Sequence, residues 1–145
     1  MNDEANGLRR WHASQSIDAP ASVVWGLLVD IGCWPQWGPS IRSVTCDEST
    51  LTASSRGAVH TIIGLTLPFE VTAFDDGVAW SWNVAGVPAT DHTVEPLGDD
   101  RCLLTFGVPL IALPYLAVCR VALRRIDRLA TADRMGTSEH GSEAG

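Results

Sequence analysis

The sequence predicts an α+β domain: a meander of short antiparallel strands, opened by a helical excursion and closed by one long helix. Three observations predict it. The turn signals Asp75-Asp76-Gly77, Gly86-Val87-Pro88 and Gly98-Asp99-Asp100 separate short runs over 78–85, 89–97 and 101–108, the punctuation of consecutive hairpins. Beyond residue 111 the apolar period changes from two to that of a helix, with Leu113, Leu116, Cys119, Leu123, Ile126 and Ala130 on one side. Near the start, 17–39 reads as a strand end, a proline-led helix and a tryptophan-rich corner.

Length and composition bound the answer. At 145 residues the chain is the size of one domain and can bury a substantial core. The balance of 10 Lys+Arg against 17 Asp+Glu, a formal charge of −7, works against attraction to nucleic acid or anionic membrane surfaces. All the basic residues are arginines, so Schiff-base chemistry, which needs a deprotonatable lysine, is excluded. The cysteines Cys33, Cys46, Cys102 and Cys119 form no C-x-x-C pair and read as small buried apolar residues. The N-terminus is acidic, without the basic and apolar regions of a secretory signal, so the expected location is the cytoplasm. The longest apolar run, 108–119, carries Pro109 and Pro114 and is too short to span a bilayer.

In chain order, residues 1–7 are polar and read as a disordered lead-in. Over 8–17, Trp11, Ala13, Gln15 and Ile17 alternate with Arg10, His12, Ser14 and Ser16, a strand with one wet face. Pro20 suits the first helical turn, and Val23, Val24, Leu27 and Leu28 follow at helical spacing. Trp34, Pro35, Trp37 and Pro39 then make a compact corner whose two large rings need a surface to bury them. A second strand is expected over 41–46, with Ile41, Ser43 and Thr45 opposed to Arg42, Val44 and Cys46. A third is expected over 54–63 with a bulge at Gly57, and a fourth over 69–74. The long helix covers 111–130, and the small polar residues 136–145 read as a disordered tail, so that 131–145 holds the helix end and that tail.

The segment Ile17-Asp18-Ala19-Pro20, then Val24-Trp25 and Leu28-Val29-Asp30, then Trp34-Pro35-Gln36-Trp37-Gly38-Pro39, resembles the opening of the START-like (SRPBCC) superfamily, its polyketide cyclase/dehydrase and lipid-transport type. Ala79-Trp80-Ser81-Trp82 and Ala89-Thr90-Asp91-His92-Thr93-Val94-Glu95-Pro96 are similar to two later strands of that superfamily, and the resemblance covers about 8–130. It implies a helix-grip fold: a curved antiparallel seven-stranded sheet wrapped around a long C-terminal helix, two short helices after the first strand, and a cavity between sheet and helix.

Within that frame, alternation puts Thr90, His92 and Val94 on one strand face and the acidic Asp91 and Glu95 on the other, which turns His92 inward. An inward imidazole can be a hydrogen-bonded core group, a ligand contact or a general acid or base, and His92 is the best catalytic candidate. Trp80 and Trp82 share a face with Val84 and are expected to line the cavity. Phe69, Val71, Leu104 and Phe106 are the inward candidates of neighbouring strands, with Leu116 and Leu123 on the helix wall beside Ile126. Trp25, Trp34 and Trp37 are expected to hold the first helices to the sheet. Arg56, His60 and Asn83 have no assignable face, and Arg120, Arg124, Arg125 and Arg128 read as a solvated helix face.

The histidines have no partner at zinc-ligand spacing and no phosphate-binding glycine loop or G-x-S-x-G motif is present, so neither metal nor cofactor is expected. The resemblance implies binding, and by extension transport, of a small hydrophobic molecule such as a lipid, polyketide or isoprenoid. The alternatives are a polyketide cyclase or dehydrase using His92 as acid/base, and a module that docks a partner protein through 110–115. A monomer or weak homodimer is expected.

Overall fold

The computed structural model describes residues 10–109 and 115–144, with the side chains of the last helix described to residue 132. Strand β1 (Arg10–Ile17) is followed by helix α1 (Ala21–Val29), a 3-10 turn (Ile31–Cys33) and the single-turn helix α2 (Trp34–Trp37). Then come β2 (Ile41–Cys46), β3 (Arg56–Thr61), β4 (Thr66–Asp75), β5 (Ala79–Val84), β6 (Val87–Pro96), β7 (Cys102–Pro109) and helix α3 (Leu116–Ala144). The seven strands form one antiparallel sheet in the order β1-β7-β6-β5-β4-β3-β2, so the first strand closes the meander by pairing with the last. This is the helix-grip fold. The lead-in 1–7, the start of the last helix over 111–114 and the side chains of the tail lie outside the described residues.

Helix α1 starts because Pro20 sets the turn from outside it. Its φ of −59° and ψ of 146° are extended, and its carbonyl accepts from the N–H groups of Val23 and Val24. Pro20 is thus the cap, one residue ahead of the first turn where the sequence placed it. Val24 and Leu28, and Trp25 and Val29, bury two adjacent i, i+4 pairs. Asp30 ends the helix in extended geometry, and its carboxylate accepts from Gly32 N at 3.1 Å to begin the 3-10 turn. Pro35 then sits in the first turn of α2, where its missing N–H costs nothing.

Strand interiors follow the expected alternation except where a bulge resets it. In β2 the register shifts between Ile41 and Ser43, so Ile41 joins Val44 and Cys46 on the half-buried face while Arg42, Ser43 and Thr45 are exposed. This corrects the simple two-residue pattern. Gly57 is not a bulge: it pairs with Cys46 and Phe69 in regular register. A Cβ there would lie 2.1 Å from the Thr45 carbonyl oxygen and 3.0 Å from a Phe69 ring carbon, so close packing of backbones requires glycine. Strand β3 is shorter than expected, leaving Ile62 and Ile63 in an exposed turn. The β5–β6 turn is Ala85-Gly86, both with positive φ (54° and 78°), and Val87 and Pro88 already belong to β6.

Helix α3 packs chiefly on β1 and also touches β7, α2 and α1. Cys119, Leu123, Ile126 and Ala130 are buried as the periodicity predicts, with Ala122 beside them. Arg120, Arg124 and Arg128 are exposed and Arg125 is half-buried. Among the cysteines, Cys102 and Cys119 are buried apolar residues, but Cys33 and Cys46 are only half-buried, with thiols directed to Asp30 and Glu48.

Candidate functional site

The inner face of the sheet is organised by aromatic rings. Trp34 of α2 lies flat on Trp80 of β5, ring centroids 5.5 Å apart and planes 9° apart. His92 stacks on Trp80 at 3.9 Å, and Phe106 meets His92 edge-on at 4.8 Å. The short helices are tied down by indole N–H groups: Trp34 Nε1 donates to Leu28 O, Trp37 Nε1 to Leu27 O, both at 2.9 Å, and Trp25 Nε1 to Asp76 Oδ1 at 3.2 Å. The three tryptophans of the opening segment therefore brace α1 and α2.

His92 is inside, and both of its nitrogens are engaged. Nδ1 donates to the Trp80 carbonyl oxygen (3.1 Å), and Nε2 contacts Thr90 Oγ1 (2.9 Å), which also accepts from Trp82 Nε1 (2.9 Å). Burial pushes the His92 imidazole down to about 3, against a smaller opposing contribution from the Trp80 hydrogen bond, so the ring is neutral. No charged side chain is among its ring or hydrogen-bond contacts. Trp80 Nε1 is buried without a hydrogen-bond partner.

Beyond this cluster, toward the free ends of the β3–β4 and β5–β6 hairpins, lies a cavity of about 470 Å³. Val59, Leu67, Trp82, Val84, Ala89 and Val108 form apolar walls, Ile62, Ile63 and Leu65 its rim, and Ser40, Thr61, Thr90 and Tyr115 supply hydroxyls. No charged side chain of the described residues lines it. A void of about 30 Å³ separates His92 and Phe106 from Tyr115 and α3, with Thr90 and Trp82 bordering both spaces.

Of the residues singled out in the sequence, the structure puts Trp82 and Val84 on the cavity wall and His92 and Phe106 on the small void. Trp80, Val71, Leu104, Leu116 and Leu123 line neither; Trp80 is sandwiched between Trp34 and His92, and Leu104 and Leu123 are core. Phe69 packs against Trp34 and Trp82 and reaches an open polar groove with Arg56, Glu70 and Asn83. Arg56 pairs there with Glu70 at 3.4 Å, exposed, and His60 bridges Thr45 and Thr66 on the outer face. Thr90, Tyr115 and the β3–β4 turn were missed as site residues. The alternation that turned His92 inward also turned Thr90 inward, so that signal was present. The docking segment at 110–115 lies outside the described residues except for Tyr115.

A curved sheet gripping a helix over an apolar cavity defines the helix-grip class of proteins. Residues 9–130 match the family described as Polyketide cyclase / dehydrase and lipid transport, and the chain belongs to that family. No sequence relative is found among curated proteins. Among solved structures, the chain is similar to the protein XoxI from Bacillus cereus, with TM-score 0.67 and 15% identity over 86% of this chain and 96% of that one. It is similar to the Zhui aromatase/cyclase from Streptomyces sp. R1128, with TM-score 0.67 and 13% identity over 86% and 94%. Norcoclaurine synthase from Thalictrum flavum, solved with dopamine and hydroxybenzaldehyde, gives TM-score 0.65 and 11% identity over 86% and 87%. At these identities the likeness is one of fold. No described helix is long and apolar enough to cross a membrane, and the described residues hold no cluster suited to a metal ion.

Proposed function

We propose that the protein binds, and carries, a small uncharged hydrophobic molecule of the lipid, polyketide or isoprenoid kind in the cavity on the inner face of the sheet, beside the β3–β4 and β5–β6 hairpins. The single observation that supports this most is the composition of the cavity wall. About 470 Å³ of space bounded by Trp82, Val84 and aliphatic side chains, with hydroxyls but no charge, suits a drug-sized apolar ligand and would leave an ionised one unpaired. Family membership and the aromatase/cyclase fold likeness are consistent with it.

Thermal-shift screening against lipids, aromatic polyketides and isoprenoid alcohols tests the reading. A ligand present at a hundred times its Kd should stabilise the protein by about 2.7 kcal/mol. If nothing in such a panel moves the midpoint, and native mass spectrometry of protein from its own host finds no retained small molecule, the proposal fails.

The cyclase or dehydrase reading draws on the family description and on one contact, the hydrogen bond that connects His92 to the cavity through Thr90. It is the weaker of the two, because an imidazole held at about 3 is a poor base at neutral pH and no charged group faces it. Under that reading His92→Ala abolishes turnover of a poly-carbonyl substrate while the fold survives; an unchanged rate removes His92 from any mechanism.

A further inference from the structure

The protons of the hydroxyls around the cavity are largely committed, and their inventory says which end of a hydrogen bond a ligand must supply. His92 Nδ1 lies 3.1 Å from the Trp80 carbonyl oxygen, which only accepts, so Nδ1 carries the single proton of the neutral ring. Nε2 is then bare and accepts. Its partner at 2.9 Å is Thr90 Oγ1, which must donate its only proton. Trp82 Nε1 is a donor only, and at 2.9 Å it occupies one of the two lone pairs on the same oxygen. Thr90 Oγ1 is left with one lone pair and no proton. The depressed basicity of His92, caused by burial, keeps this arrangement in place across the ordinary pH range.

The other hydroxyls on the wall behave differently. Thr61 Oγ1 donates to Leu65 O and accepts from Leu65 N, both at 3.1 Å, which closes it on its own hairpin. Ser40 and Tyr115 share one hydrogen bond of 2.9 Å, so one of their two protons stays available, at a half-buried serine and a tyrosine 40% exposed. Thr90, by contrast, is 7% exposed. Among the described side chains, then, the deep wall of the cavity offers a lone pair and no proton, whereas the hydroxyls at its mouth offer a proton as well as lone pairs.

From this we infer that Thr90 is a ligand-anchoring residue that accepts a hydrogen bond from a hydroxyl of the occupant, so that the ligand is an alcohol, phenol or enol and enters with that group innermost. An ether, ketone or carboxylate placed against Thr90 would set lone pair against lone pair and leave a desolvated acceptor unpaired. The inference rests on the reading that the cavity holds a hydrophobic molecule, and it names the chemistry that selects among such molecules.

The test is a titration of the full chain, at neutral pH, with naphthalene, 2-naphthol and 2-methoxynaphthalene, followed by calorimetry or by quenching of tryptophan fluorescence. Wild-type protein should bind 2-naphthol roughly 5- to 10-fold more tightly than 2-methoxynaphthalene. Thr90→Val should abolish that preference and Thr90→Ser should keep it. Equal binding of the two oxygen-bearing probes by wild type, a preference that survives in Thr90→Val, or one lost in Thr90→Ser would each overturn the assignment. If Thr90→Val does not fold, the wild-type ratio and the Thr90→Ser variant still decide it. Binding of naphthalene with no advantage for 2-naphthol leaves the cavity reading standing and removes Thr90 from recognition; binding of none of the three overturns the Thr90 assignment, and the cavity reading then stands or falls with the lipid, polyketide and isoprenoid panel.

Discussion

Trp34 is stacked parallel and offset on Trp80, 5.5 Å between centroids with the planes 9° apart, and it is through this pair that the opening helical segment is fastened to the centre of the sheet. Trp34 is fully buried and its Nε1 donates to the Leu28 carbonyl, so one side chain joins α1, α2 and β5.

Replacing Trp34 should therefore be among the most damaging single changes. Trp34→Ala is expected to cost about 3–5 kcal/mol, from lost burial plus the cavity left behind. Trp34→Phe should cost less, keeping a ring on Trp80 while leaving the Leu28 carbonyl without its donor. Urea denaturation midpoints at fixed m-value check both, and a loss under about 1 kcal/mol for the alanine variant would contradict the bracing role.

His92 makes stability pH-dependent with a defined sign. Its folded pKa, about 3, lies below histidine's ordinary 6.5, so below pH 6.5 the unfolded chain takes up a proton that the native state refuses. The contribution is fully present above pH 6.5 and is lost as pH falls from 6.5 toward 3, at a slope of up to about 1.4 kcal/mol per pH unit. Unfolding free energies of wild type and His92→Gln between pH 4 and 7 should converge as pH falls; parallel curves would show that His92 does not titrate with unfolding.

The cavity can be filled from within. Val84 is half-buried on its wall, and Val84→Phe should occupy the space and abolish probe binding while costing no more than about 1–3 kcal/mol. Affinity for naphthalene, measured beside far-ultraviolet circular dichroism, reports both effects. Undiminished binding in a folded variant would place the ligand elsewhere.

Ala85 adopts φ 54° in the β5–β6 turn, the left-handed region that disfavours an alanine by roughly 1–2 kcal/mol. Ala85→Asn, with Gly86 kept, produces the Asn-Gly pair preferred by such two-residue turns. It should raise stability by about 0.5–1 kcal/mol, visible as a higher Tm, and a lower Tm would show that the turn does not need that conformation.

Much of this architecture is written locally. The reversal of period near residue 115, the inward direction of Thr90, His92 and Val94, the inward Trp80 and Trp82, and the bracing tryptophans all follow from side-chain spacing, since burial on one face leaves an alternation that can be read directly. Bulges in β2, β4 and β6 are different, because they arise from how neighbouring strands pair and leave no mark in the residues themselves. Gly57 shows the same limit: it is glycine because the Thr45 carbonyl passes close by, a contact made between strands.

The sequence by itself determined the class of fold, the order of its elements, and that an apolar inner face would carry one histidine. Only the tertiary structure decided that Trp80 is sealed between Trp34 and His92 while Trp82 reaches the cavity, although both lie on the same face of the same strand. The reason is that facing is a property of the chain's period, whereas access to space depends on which neighbouring element covers each position. Helix α2 covers Trp80, and beyond it the hairpins leave Trp82, Val84 and Thr90 open.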